Sequence, residues 1–310
     1  MRQSIRGYTD GAVELAVGRE EIASAAAELT AFKGVVDSSD DLRLVLTDTG
    51  VPVASRRAVI SDLLGSRVGP VSLRLLDFAI DSDRAPAFPE NVSWLAARVE
   101  VAAREFGGST GSSYGDAVLG RKAAEERLDG YATALLAEVR GEAALTAVED
   151  ELFRFVRTIA GAADLRGALS SRAIPQSARQ GVIEDLLSSK ATPTAVRLAV
   201  YATRIGRPRD YEGLLGFLVD RVASENDRRI ADVRAPVELE ESQIRNLATA
   251  LARVVGRDVE VRVTVDPTVL GGFIATIGDT VVDGSSRHRL EILKERLVMP
   301  EATLTTGDPS

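Results

Sequence analysis

Asp283, Ser285, Ser286 and His288 fall within six residues of one another. An acid, a hydroxyl and an imidazole are the parts of a hydrolytic relay, in which histidine takes the serine proton and the acid orients the ring. Their closeness along the chain speaks against that chemistry. The members of such a relay converge from separate elements, and neighbours in one loop cannot form the linear Asp to His to Ser arrangement. A solvated helix N-terminus, with Asp283 or a serine as its cap, is the expected reading. His288 is the sole histidine and the chain has no cysteine, which excludes disulfides, thiol nucleophiles and thiolate metal sites. No catalytic residue, metal ligand or cofactor-binding residue is expected.

Two further stretches invite chemistry. GGSTGSSYG (107–115) is rich enough in glycine to cradle a phosphate, but it lacks the GxxxxGK[ST] pattern and no apolar strand precedes it, so it reads as a flexible tether. RIGRPRD (204–210) could hold an anion, with the solvated rim of a helical bundle as the expected reading. A net charge of −8 over 310 residues argues against a nucleic-acid partner, since phosphate contacts need a concentrated positive field. No stretch approaches the ~18 to 20 apolar residues of a membrane-spanning helix. MRQSIRGYTDGAVELA at the N-terminus lacks the apolar core of a secretory leader. A protein of the cytosol, or of the cytosolic side of a larger assembly, is expected.

The elements around these residues are organised by an internal repeat. Offset by 123 residues, positions 41–84 align without a gap to 164–207, and 17 of those 44 positions are identical. Tyr8 pairs with Tyr131, Glu28-Leu29 with Glu151-Leu152, Phe32 with Phe155 and Phe88 with Tyr211. So long a period marks a duplicated domain rather than a solenoid. Each copy reads as helical. Pro52, Pro70, Pro175 and Pro193 open apolar-periodic stretches, where a first-turn proline removes no helical hydrogen bond. Val59, Ile60, Leu63 and Leu64 recur on one face, as do Val182, Ile183, Leu186 and Leu187. The periodicity predicts about six helices per copy, near 2–17, 20–37, 40–48, 53–65, 71–82 and 88–106 and again 123 residues later.

After residue 229 the pattern changes. IADVRAPVEL (230–239) and VEVRVTV (259–265) alternate as half-buried strands do, FIATIG continues the sheet, and EESQIRNLATALARVVG is helical with Ile244, Leu247, Leu251 and Val254 on one face. The fold expected is therefore mostly α with a small α+β domain. It comprises a first bundle over 1–106, a linker over 107–116, a second bundle over 117–229, a mixed α/β domain over 230–299 and an unstructured tail over 300–310.

The segment 264–297 resembles the C-terminal signature of the delta subunit family of F-type ATP synthase, the bacterial counterpart of the oligomycin-sensitivity-conferring subunit. The resemblance rests on Asp266-Pro267, Gly271-Gly272, Gly278-Asp279 and Asp283-Gly284-Ser285, and on the tyrosine-alanine motif that begins at Tyr131. It covers the second copy and the α/β domain. The first copy lies outside the ordinary family pattern and resembles the additional helical domain of actinobacterial forms. Here the glycines are expected to make turns and a close strand approach rather than chemistry.

The resemblance implies a non-catalytic stator subunit at the cytoplasmic face of the cell membrane, touching the membrane only through the complex. It implies two partners, the amphipathic N-terminal helix of an alpha subunit and a b-type peripheral stalk, and no cofactor. Tyr131 and Ala134, with Val196, Ala199, Val200 and Thr203 on the outer face of the fifth helix, are the residues it implies for the alpha-subunit helix. Leu75, Phe78 and Ala79 in the first copy match Leu198, Tyr201 and Ala202 in the second and are expected to face inward. Leu73, Leu76, Asp77 and Ile80 are expected to face outward. The aspartate and reversed charge of that outer face lead to the expectation that only the second copy takes the alpha helix. A general helical adaptor unrelated to ATP synthase is the alternative that the duplicated bundles alone allow.

Overall fold

The computed structural model describes residues 2–17, 21–105, 118–139, 141–255, 259–277 and 280–284. The expected tether 107–116 and tail 300–310 lie outside the described residues, as do Gly278, Asp279, Ser285, Ser286, His288 and the helix expected at 287–297. The first copy forms α1 (Gln3–Val17), α2 (Ile22–Ser38), α3 (Asp40–Thr47), α4 (Val53–Leu64), α5 (Pro70–Ser82) and α6 (Phe88–Glu105). The second forms α7 (Arg121–Leu136), α8 (Glu142–Gly161), α9 (Ala163–Ser170), α10 (Gln176–Leu187), α11 (Pro193–Ile205) and α12 (Tyr211–Arg229). These bounds lie close to those that the periodicity predicts.

Local chemistry sets the helix ends. Ser39 accepts a hydrogen bond from the Leu42 N–H at the start of α3, where Asp40 and Asp41 also favour the positive end of the helix dipole. Pro70 and Pro193 occupy the opening positions of α5 and α11. Both of these fifth helices are capped from outside by a carboxylate. Glu28 on α2 accepts from the Gly69 N–H at 2.9 Å and from the Ser72 hydroxyl at 2.6 Å. Glu151 on α8 accepts from the Thr192 N–H at 2.7 Å and its hydroxyl at 2.8 Å. The repeated Glu-Leu pair is thereby explained: the glutamate satisfies an orphan helix N-terminus while Leu29 and Leu152 enter the core.

The fifth helix of each copy is central. Leu75 and Ala79, and Leu198, Tyr201 and Ala202, are buried as expected, whereas Phe78 is half-buried and stacks on Tyr8. The outward assignment of Leu76, Ile80 and Ala199 is corrected, because all three are fully buried. α5 packs against α1, α2, α4 and α6, and α11 against α7, α8 and α10, leaving on each an exposed stripe marked by Asp81 and by Pro193, Arg197 and Arg204. A helix packed on most of its circumference hides apolar residues beyond a single face, which periodicity reads as two faces.

The chain divides into two compact units, Met1–Ala223 and Ser224–Ser310. The two helical copies thus belong to one unit, where the sequence reading separates them into tethered domains.

In the second unit, β1 (Ile230–Ala235), β2 (Glu260–Val265), β3 (Ile274–Ile277) and β4 (Thr280–Asp283) form a sheet of order β2-β1-β3-β4. β1 and β2 are parallel and joined through α13 (Glu241–Val255), while β3 runs antiparallel to both β1 and β4. Ala231, Val233, Ala275 and Ile277 meet Leu247 and Leu251 of α13 in a core of their own.

Candidate partner-binding site

The residues expected to receive a partner helix begin with Tyr131 and Ala134 on α7, and α7 already has a helix against it. That helix is α1 of the first copy. The Gln3 N–H donates to Glu126 Oε1 at 3.1 Å, Gly7 faces Arg127 and Tyr131, and Gly11 faces Ala134 and Leu135. These contacts advance in the same direction along both helices, so α1 and α7 run parallel and in register. Equivalent positions such as 3 and 126, or 11 and 134, therefore meet each other, as a two-fold relation between the copies requires.

Small residues make the approach possible. A Cβ on Gly7 would stand 1.7 Å from the Arg127 carbonyl oxygen, and one on Gly130 would stand 1.9 Å from that of Ser4. Ser4 and Arg127 are themselves 123 residues apart. A Cβ on Gly11 would come within 2.8 Å of the Ala134 methyl. Backbone thus rests directly on backbone, an arrangement supported by weak Cα–H···O contacts and open only to residues with little or no side chain.

A polar cluster fixes the pair. Asp10 on α1 accepts from Arg98 of its own copy at 2.8 Å, from Arg127 at 2.8 Å and from the Tyr201 hydroxyl at 2.5 Å. The Asp10 side chain is 11% exposed and that of Arg127 is 4% exposed, so the charges are largely withdrawn from water and compensated by each other. One turn on, Glu14 accepts from the Tyr131 hydroxyl at 2.6 Å and pairs with Arg197 at 3.2 Å. In the opposite sense Arg74 on α5 donates to Glu138 beyond the end of α7 at 2.7 Å. Burial pushes the Tyr131 and Tyr201 hydroxyls well above their ordinary range, and the carboxylates of Glu14 and Asp10 push them the same way.

Tyr131 is 1% exposed and Ala134 4% exposed; Tyr131 also stacks on Tyr201 with ring centroids 3.7 Å apart. Ala199 and Thr203 are buried, while Val196 and Val200 are partly exposed and pack against the second-copy core. The expected exposure of the fifth-helix face is corrected at Ala199 and Thr203, which lie within the unit, and α1 covers Tyr131 and Ala134. Asp10, Glu14, Arg127, Gly7 and Gly130 were not singled out by the sequence reading. The signal available was the 123-residue offset, which pairs Gly7-Tyr8 with Gly130-Tyr131 and so marks a glycine retained beside the tyrosine in both copies.

Among the described signature residues of the second unit, Asp266, Pro267, Gly271, Gly272 and Gly284 lie in turns or at a strand end. Asp266 Oδ1 accepts from the Thr268 N–H at 2.9 Å and its hydroxyl at 2.6 Å, and the Asp266 N–H donates to the Ala235 carbonyl at 2.7 Å, closing the turn after β2. The Thr268 hydrogen bonds, with Arg234 nearby, hold the Asp266 carboxyl below its ordinary value. Pro267 lies in the same turn. Gly271 and Gly272 have φ of +70° and +77°, a region open to glycine at low cost. The Gly284 N–H donates to the Phe273 carbonyl next to Asp283, beyond the β3–β4 pairing. Among the described residues no group of three or more His, Cys, Asp or Glu side chains could hold a metal, and no helix is long and apolar enough to cross a membrane.

A family model described as the ATP synthase delta (OSCP) subunit matches residues 5–106 and 129–297. The chain belongs to this family. The match includes the first copy, and the relatives that align with it are actinobacterial, as the resemblance implies. Proteins named ATP synthase subunit delta align with most of the chain and most of their own length. The one from Nocardia farcinica is 33% identical over 301 residues, covering 96% of this chain and 95% of its own. That from Kineococcus radiotolerans is 33% identical over 285 residues, with 92% and 91% covered. That from Streptomyces coelicolor is 33% identical over 274 residues, with 88% of each covered. The delta family supplies structural, non-catalytic subunits of ATP synthase, so the chain is a stator component of that complex and not a catalytic one. An adaptor unrelated to the synthase is set aside by the same match.

Proposed function

We propose that this delta-family chain ties the peripheral b-type stalk to the alpha/beta head of a proton-driven ATP synthase and holds the head against the torque of the rotor. The helical unit takes the amphipathic N-terminal helix of an alpha subunit, and the α/β unit takes the stalk. The work is done at the cytoplasmic face of the cell membrane, which the chain reaches only through its partners. The observation that carries this reading is the match of residues 5–106 and 129–297 to the delta (OSCP) family, and the packing of α1 on Tyr131 and Ala134 supports a helix-accepting face there. A face that accepts a helix through small residues and charged hydrogen bonds is suited to a helix-in-groove partner. Holding through many rotor turns calls for slow release and an affinity near the nanomolar scale, about −12 kcal/mol.

Co-purification tests the assignment. The full chain is expected to retain both the alpha and the b-type subunits, and a chain cut after residue 229 is expected to retain alpha and lose the stalk, because the sheet unit has its own core. A truncated chain that still captures the stalk would move the stalk site to the helical unit.

A further inference from the structure

We propose that α1 is the resident occupant of the second copy's helix-binding groove, so that an outside helix reaches Tyr131 and Ala134 only when α1 and α7 part. The inference rests on the alpha-subunit reading above and adds to it a competitor built into the same chain. It answers what the duplication does at this site.

The residues define what the groove selects. α1 presents Gly7 and Gly11 four residues apart, which let its backbone settle on Arg127 and Ala134. It also presents Asp10 and Glu14 four residues apart, which meet Arg127 and Tyr201, then Tyr131 and Arg197. Small residues and carboxylates, each repeating once per turn along adjacent stripes, are therefore the chemistry that fits. A competing amphipathic helix must supply carboxylates at this spacing, or leave Arg127, which is 3% exposed, without its anion. The occupancy is reciprocal. α7 packs along α1 in turn, with Glu138 just beyond its end accepting from Arg74 of α5. Where a binding-competent state is only a fraction of the population, apparent affinity falls by that fraction.

The chain has no cysteine, which gives a clean background for locking the pair. Gln3→Cys and Glu126→Cys place two thiols on adjacent turns of α1 and α7, outside the polar cluster, and a short bis-maleimide joins them in the full chain. A synthetic peptide of the alpha-subunit N-terminal helix is then titrated into three forms: the linked chain, the same chain with both thiols capped singly, and a loosened chain carrying Asp10→Asn and Glu14→Gln. Hydrogen exchange over α7 is followed alongside. The expected order is weakest binding to the linked form and tightest to the loosened one, with linked and capped forms differing by about tenfold or more and α7 protected by the peptide in the loosened chain. Equal affinity for all three forms overturns the inference while the alpha-subunit reading stands. Failure to bind even the loosened chain overturns both.

Discussion

Gly7 and Arg127 touch through their backbones: a methyl group on Gly7 would lie 1.7 Å from the Arg127 carbonyl oxygen, and Gly130 stands to Ser4 in the same relation at 1.9 Å. A separation this small cannot be relieved by turning a side chain. Gly7→Ala and Gly130→Ala should each force α1 and α7 apart, at or above the top of the ~1 to 3 kcal/mol range for overpacking. Urea unfolding of the full chain, with hydrogen exchange over α1 and α7, measures this. A stability within about 0.5 kcal/mol of the parent would contradict the contact. Gly34 on α2 provides the control, since a Cβ there meets nothing within 4 Å. Gly34→Ala should stabilise by about 0.5 to 1 kcal/mol through the entropy of the unfolded chain and the better helix former.

Asp10 and Glu14 sit one turn apart but differ in exposure, with side chains 11% and 36% exposed. Asp10→Ala removes the shared anion of Arg98 and Arg127 and should cost about 3 to 5 kcal/mol, the range for breaking a buried pair. Glu14→Ala should cost less, about 1 to 3 kcal/mol, since it frees the exposed Arg197 but leaves the buried Tyr131 hydroxyl without its acceptor. The ratio of the two losses in denaturant unfolding is the readout; equal losses would mean that burial of the Asp10 cluster is not what matters.

Tyr131, Tyr201 and Tyr211 are held well above, and Tyr8 above, the ordinary phenol value of 10.0, in every case chiefly by burial. The fold favours their neutral form. Their contribution to stability is therefore complete below pH 10 and is lost as pH climbs beyond it toward the folded-state values. In an alkaline titration these four of the five tyrosines should ionise together with unfolding rather than before it. Tyrosinate absorbance tracked against circular dichroism tests the coincidence. Smooth ionisation of all five near pH 10 in the folded chain would refute it.

The sheet unit has its own sensitive points. Gly271→Ala and Gly272→Ala place a Cβ at φ of +70° and +77° and should each cost about 1 to 2 kcal/mol. The loss should appear in the unfolding of residues 224–310 and leave exchange in α1 and α7 unchanged, because the sheet core shares no residue with the helical cores. Loss of protection in α1 would argue against independent cores.

The sequence by itself determined the elements and the family. Helix bounds followed from prolines at first turns and from apolar residues recurring every third or fourth position, because these signals act within a few residues of chain. The signature around Asp266 and Gly271-Gly272 was legible for the same reason: a turn that needs positive φ writes its glycines into the sequence. What only the tertiary structure decided was which buried faces belong to which core. Tyr131, Ala134 and Ala199 are apolar or amphipathic whether they face their own bundle, another copy or an outside helix, and a pattern along one helix carries no information on what lies across from it. Asp10 reads as one acid among many on an exposed α1. Its meaning comes from Arg98, Arg127 and Tyr201, three residues spread over more than a hundred positions of chain, brought together only when Gly7 and Gly130 let two helices meet backbone to backbone.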